Sequence, residues 1–232
     1  MVSTPRLRPR KLSEPTIGRL PVYQRIAEGF LNNGLTRIDS QQIGELAGVT
    51  PTTVRRDLAG LGSIGTRGAG YDVQILNERI AETLGHDNRY DVVVIGMGNL
   101  GRALVNSQNF LIRGAQLAGL YDNDPSIIGT EIAGHIVQPF SGPLAPATVG
   151  VVCVPPAHAQ EVADKLVASD IHGILNFAPQ VITVPLGTAV HYVDFSIELQ
   201  ILMYHLTNGT GPLAGGLLHS LGISPPSVVR GS

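Results

Sequence analysis

The chain has 232 residues, 43% of them apolar, with a formal net charge of −2 and a single cysteine, Cys153. That is enough chain for one large domain or two small ones, and one cysteine excludes a disulfide framework and a thiolate metal cluster. No apolar stretch reaches the roughly 18 residues of a membrane span, and the basic, proline-rich residues 1–11 lack the apolar core of a secretory signal, so a cytoplasmic location is expected. The charge is unevenly divided: residues 1–70 hold ten Arg and Lys against five Asp and Glu, and the rest of the chain six against thirteen. A basic first third points to a polyanion as that part's partner.

Residues 1–16 read as a disordered arm, basic through Arg6, Arg8, Arg10 and Lys11, with Pro5, Pro9 and Pro15 opposing a helix. A helix is expected over 20–32, with Leu20, Tyr23, Ile26, Ala27, Phe30 and Leu31 on one face and Gly34 ending it. Asp39 and Gln42 have capping-box spacing for a second helix carrying Ile43, Leu46 and Ala47. Gly48 supplies a tight turn, Thr50 an N-cap and Pro51 the first position of a third helix, which turns Val54 and Leu58 inward. This is a helix-turn-helix, and Thr50, Thr52, Thr53, Arg55 and Arg56 are its candidate major-groove residues. A small helical core binding a protein is the alternative. Residues 63–73 read as a β-hairpin wing whose glycine-rich tip, Arg67 and Gly68, suits a narrow minor groove. Winged helix over 17–75 and linker helix over 76–90 complete the first half.

The second half opens on a strand over 91–95 and the turn Gly96, Met97, Gly98, Asn99, Leu100, Gly101, followed by a helix over 99–108. A second strand over 116–121 ends at Asp122. Strand, glycine turn, helix, strand and acid in this order form a dinucleotide-binding fingerprint. The first glycine turns the chain, the second lets backbone approach a pyrophosphate, and the third lets helix and strand pack closely. The pyrophosphate sits on N–H groups at the helix start. Asp122 takes the ribose hydroxyls and so favours NAD over NADP. A glycine turn with no ligand is the bland alternative. Residues 125–132 read as a turn-rich connection. An apolar strand over 149–154 holds Cys153 as a small buried hydrophobe and is stopped by Pro155 and Pro156. A helix over 157–168 and strands over 173–177 and 190–193 follow. Ligands of such sheets lie beyond the strand C-termini, which makes Val154, Pro155, Asn176, Phe177, Ala178, Asp194 and Phe195 candidate wall residues. Phe177 or Phe195 suits a nicotinamide face, and a core role equally. The last helix, 195–206, is apolar on most sides and wants burial by more than one partner. Residues 207–232 read as a disordered tail.

Five segments together resemble the Rex family of redox-sensing transcriptional repressors over roughly residues 17–206: Val54 to Leu58, the wing from Gly65 to Tyr71, the turn from Gly96 to Gly101, Gly173 to Pro179, and Val193 to Gln200. The resemblance implies an α/β fold with an N-terminal winged helix, a Rossmann-like NAD(H)-binding domain over 91–194 and a C-terminal helix swapped between the subunits of a homodimer. It implies that NADH releases a palindromic operator duplex and that NAD⁺ permits repression. It also implies that Arg25 pairs with Asp194 in the DNA-bound form. Ser107 stands where many members carry a Tyr that contacts this Asp in the NADH form. No catalytic residue and no metal ligand set is expected: the seven histidines are scattered. The rivals are an NAD-dependent oxidoreductase, which lacks a substrate domain because only about 25 residues follow the last helix, and a regulator sensing CoA or another nucleotide.

Overall fold

A computed structural model of the protein describes residues 12–62, 64–66, 69–107, 110 and 114–208. The expected tail from 209 and arm up to 11 lie outside these residues, as do Arg67 and Gly68. The chain forms two units that meet in sequence between Gly85 and His86.

The first unit begins with α1 (Glu14–Asn32), which starts six residues before the expected helix and inside the expected arm. Ser13 caps it through Oγ, accepting from the Thr16 amide, and Pro15 sits in the first turn, where its missing N–H costs nothing. Pro21 lies inside the helix on its exposed side. β1 (Arg37–Ile38) leads to α2 (Ser40–Ala47), closed by the capping box of Asp39 and Gln42, and then α3 (Pro51–Ala59). Gly48 between them is left-handed (φ 69°). A Cβ on Gly44 would stand 2.6 Å from the Val49 carbonyl oxygen, so only glycine allows the two helices to turn this tightly. β2 (Gly65–Thr66) and β3 (Gly70–Asp72) form the wing, and β1, which the sequence reading missed, joins them in the order β1-β3-β2. α4 (Val73–Thr83) is the helix expected as a linker. It is a core element instead: Val73, Leu76 and Ile80 are fully buried in the same cluster as Leu20, Tyr23, Val54 and Leu58.

The second unit holds a seven-stranded sheet. Its strands are β4 (Tyr90–Ile95), β5 (Ala115–Asp122), β6 (Glu131–Ile132), β7 (His135–Pro139), β8 (Val149–Val152), β9 (Gly173–Asn176) and β10 (Ala189–Tyr192). They lie in the order β10-β9-β8-β4-β5-β7-β6, parallel except for the β6–β7 hairpin. Without β6 this is the doubly wound dinucleotide order, with its switch point between β4 and β8. The expected turn-rich connection holds over 125–129, but residues 131–132 form β6, which pairs with β7 beyond it. Ala133 and Gly134 join them with both φ values positive, the twist a two-residue hairpin needs. Both faces of the sheet are covered. Val93 and Ile95 pack with α6 (Ala159–Ala168), and Val92 and Val94 with Val105 of α5 (Asn99–Asn106). Such two-sided burial gives the uninterrupted apolar run of β4. The last helix, α7 (Phe195–Asn208), buries no residue within this chain.

Candidate nucleotide cleft and duplex-reading helix

The glycine turn is built by three different constraints. Gly96 is left-handed (φ +96°), and a Cβ there would meet the Cys153 carbonyl at 2.6 Å. A Cβ on Gly101 would lie 1.9 Å from the Gly96 carbonyl oxygen, so α5 approaches β4 at glycine distance. Gly98 has nothing within 4 Å of its Cβ position. Its requirement is thus not internal: the open space faces a cleft of about 380 Å³ beyond the ends of β4 and β8. α5 begins at Gly98 with no side-chain cap, and its first intrahelical bond runs from the Arg102 amide to the Gly98 carbonyl. An uncapped helix start beside open space suits a diphosphate. Ile127 and Phe140 add apolar wall for a base, so the residues present fit a dinucleotide.

The sequence-expected residues divide. Gly96, Gly98, Asp122, Val154 and Pro155 line the cleft. Met97 does not: its side chain is fully buried, and its amide donates to Asp122 Oδ2 at 2.6 Å. Asp122 Oδ1 accepts the Asp124 amide at 2.8 Å. The acid expected to serve the ribose therefore also braces the glycine turn. Asn99 and Leu100 form the first turn of α5, Asn99 exposed and Leu100 half-buried. Asn176 is 1% exposed and turned inward, accepting from the Ala178 amide and donating to the Gln180 carbonyl, both at 2.9 Å. It shapes the loop that presents Phe177. Ala178 is buried in the sheet core. Phe177 and Phe195 meet with ring centroids 6.2 Å apart. Asp194 caps the start of α7, accepting from the Ser196 amide and hydroxyl, which hold its carboxyl below the usual range.

Sequence reasoning missed Asp124, Phe140, Cys153 and Glu161 as cleft residues. Cys153 directly precedes the expected Val154, and Phe140 directly follows β7. Asp124 accepts from the Ser126 hydroxyl and amide, which lower its carboxyl. Burial pushes the Cys153 thiol up to about 12, which makes it inert as a thiolate. Lys165 fastens α6 to the loop after β7. Its Nζ donates to the Phe140 and Gly142 carbonyls and lies 4.4 Å from the Phe140 ring centroid.

In the first unit, α3 presents Thr52, Arg55 and Arg56 as exposed side chains, with Thr53 half-buried. Thr50 spends its hydroxyl on the Thr53 amide as the helix cap. Arg55 bridges to Ser40 Oγ (2.9 Å) and Thr52 Oγ1 (3.1 Å), bracing the two helices. Arg25 is exposed on α1. Asp57, on the inner side of α3, is 2% exposed and takes hydrogen bonds from Thr16, Arg19 and Tyr23. Among the described residues, no group of three or more His, Cys, Asp or Glu could hold a metal ion. No helix there is long and apolar enough to cross a membrane.

Comparison with known proteins gives consistent results over both units. Residues 11–59 match a family model described as a putative DNA-binding protein N-terminus, and residues 87–180 one described as a CoA binding domain. The chain is 42% identical to the redox-sensing transcriptional repressor Rex of Streptomyces griseus, over 87% of this chain and 81% of that protein. It is 40% identical to that of Streptomyces coelicolor, over 97% and 88%. A crystal structure of the protein RSP in complex with β-NAD⁺ and operator DNA superposes with a TM-score of 0.77 at 33% identity, covering 86% of this chain and 94% of that one. A crystal structure of RSP in complex with β-NADH superposes with 0.76 at 32% identity, covering 86% and 96%.

Proposed function

Because the chain belongs to the Rex family of redox-sensing transcriptional repressors, we propose that it binds a palindromic operator duplex as a homodimer and releases it when NADH replaces NAD⁺. The carrying observation is the pairing in one chain of an outward-facing Arg and Thr helix in a winged-helix unit with an uncapped, glycine-opened helix start in a doubly wound unit. RSP, bound to NAD⁺ with operator DNA in one crystal and to NADH in another, supports the same pair of ligands. The nicotinamide of NAD⁺ carries a positive charge that NADH lacks, and this is the chemical difference to be sensed. Gly98 and the first turn of α5 hold the diphosphate, and Asp122 faces the ribose. Thr52, Thr53, Arg55, Arg56 and the wing residues Arg67 and Gly68 meet the duplex.

The dimer is supported by α7, whose apolar side chains from Phe195 to Leu206 are 47–74% exposed in the single chain. A helix of this composition is stable when a second copy covers it. Half-sites about 34 Å apart fit one orientation of two recognition helices, so a small rotation breaks one set of contacts. A coupling of about 1–3 kcal/mol shifts duplex affinity roughly five- to 150-fold. Arg25 and Asp194 are the proposed switch pair. Ser107, where many members have Tyr, leaves that pair's NADH-side contact to other residues. The protein acts in the cytoplasm, where duplex and nucleotide meet.

Titrating NADH, NAD⁺, NADPH and CoA against fluorescence, and then against the duplex-bound protein, tests the proposal. NADH is expected to bind and to release the duplex. Unchanged duplex affinity across the NADH/NAD⁺ ratio overturns it, and release by CoA alone supports the reading suggested by the CoA binding model over residues 87–180. Arg67→Ala is expected to weaken duplex binding without changing NADH affinity.

A further inference from the structure

We propose that Asp57 is a positioning residue for operator reading: clamped by three side chains of α1, it sets the rotation of α3 and so where Thr52 and Arg55 meet base edges. The inference rests on reading the first unit as the duplex-binding one. Thr16 Oγ1 and Arg19 Nη2 donate to Asp57 Oδ1, each at 2.9 Å. Arg19 Nε and Tyr23 Oη donate to Oδ2 at 2.7 and 2.9 Å. Each carboxylate oxygen thus accepts two bonds, and the group has no capacity left for a ligand. Its office is internal.

The donors stand at positions 16, 19 and 23, on one face of α1 over two turns. The apolar packing of Val54 and Leu58 around them is non-directional and tolerates a small rotation of α3. A guanidinium fork on a carboxylate does not, because its two bonds are fixed in one plane. Asp57 directly follows Arg56 in the chain, so the buried clamp and the exposed cations share one short stretch of backbone. Apolar packing at such a position is often at least as stable as a buried ion pair, whose best-attested use is to fix register. Burial raises the Asp57 carboxyl, but the bonds from Arg19, Tyr23 and Thr16 together outweigh it and hold the carboxyl below its ordinary value. The clamp is therefore ionised and closed at neutral pH.

The test uses the full chain, a duplex that the unmodified protein selects from a random pool, and a scrambled duplex of equal length. Arg19→Lys keeps the charge without the fork, and Tyr23→Phe removes one donor. Both are expected to fold by circular dichroism, and the selected-to-scrambled affinity ratio is expected to fall about tenfold for Arg19→Lys and a few-fold for Tyr23→Phe. The salt dependence of scrambled-duplex binding stays unchanged, since no phosphate contact is lost. A merely structural role would unfold part of the protein, lower both affinities by one factor and leave the ratio alone. An unchanged ratio in both folded variants overturns the proposal. An unmodified chain that selects no duplex from the pool is a separate result, which removes the duplex-binding reading and this inference with it.

Discussion

Helices α3 and α5 have nine and eight residues and opposite starts. α3 closes its own first turn with the Thr50 hydroxyl and Pro51, and offers side chains outward. α5 has no side-chain cap and offers bare backbone at Gly98. In the proposed function both meet phosphate, one by adjustable cations and the other by fixed amides. Each function is therefore sensitive in its own way: a single added methyl group can damage the second, whereas the first yields charge by charge.

Substitutions sharpen this contrast. The largest effect is expected at Gly101→Ala, whose Cβ would collide with the Gly96 carbonyl at 1.9 Å. Thermal unfolding should show a loss of roughly 4 kcal/mol and no measurable NADH binding. Asp57→Asn comes next. Breaking a buried pair from one side costs about 3–5 kcal/mol. Because the folded carboxyl lies below its ordinary value, the stabilisation by the pair is whole above about pH 4, the unfolded value. It is lost as pH falls through the folded value. The acid limb of a pH–stability curve should flatten in the variant. Gly98→Ala should be nearly silent in stability, since the space is open. Its methyl group should still weaken NADH about tenfold or more by calorimetry. An unchanged affinity would break the comparison, because Gly98 would then serve no ligand. Arg56→Ala is the mildest: duplex binding should weaken uniformly over sequences, with the salt slope reduced by about one.

The glycine turn was legible because its constraints are local: three glycines at fixed spacing, an apolar strand before them and Asp122 after the next strand carry the whole argument. The helix-turn-helix was legible for the same reason, through Asp39, Gly48, Thr50 and Pro51. The Asp57 clamp was not. Its partners lie 34–41 residues away, and the spacing of Thr16, Arg19 and Tyr23 indicates a common face without saying which acid it holds. Pro15 argued for a disordered arm because the Ser13 cap that makes it a first-turn proline went unread. β6 and β7 were hidden because Gly129, Gly134 and Pro139 punctuate them and only Ile132 and Val137 of the pair are buried. α4 reads as a linker from sequence because an amphipathic helix does not announce which core it faces.

The bond from the Met97 amide to Asp122 has a kinetic consequence. The turn keeps its shape through a contact of its own, so an arriving dinucleotide finds the cradle standing and need not fold it. Preorganisation of this kind removes an ordering cost from association and leaves encounter, rather than rearrangement, to set the on-rate. Discrimination between two forms of one molecule then falls on how long each stays, which is the quantity a stopped-flow displacement measures.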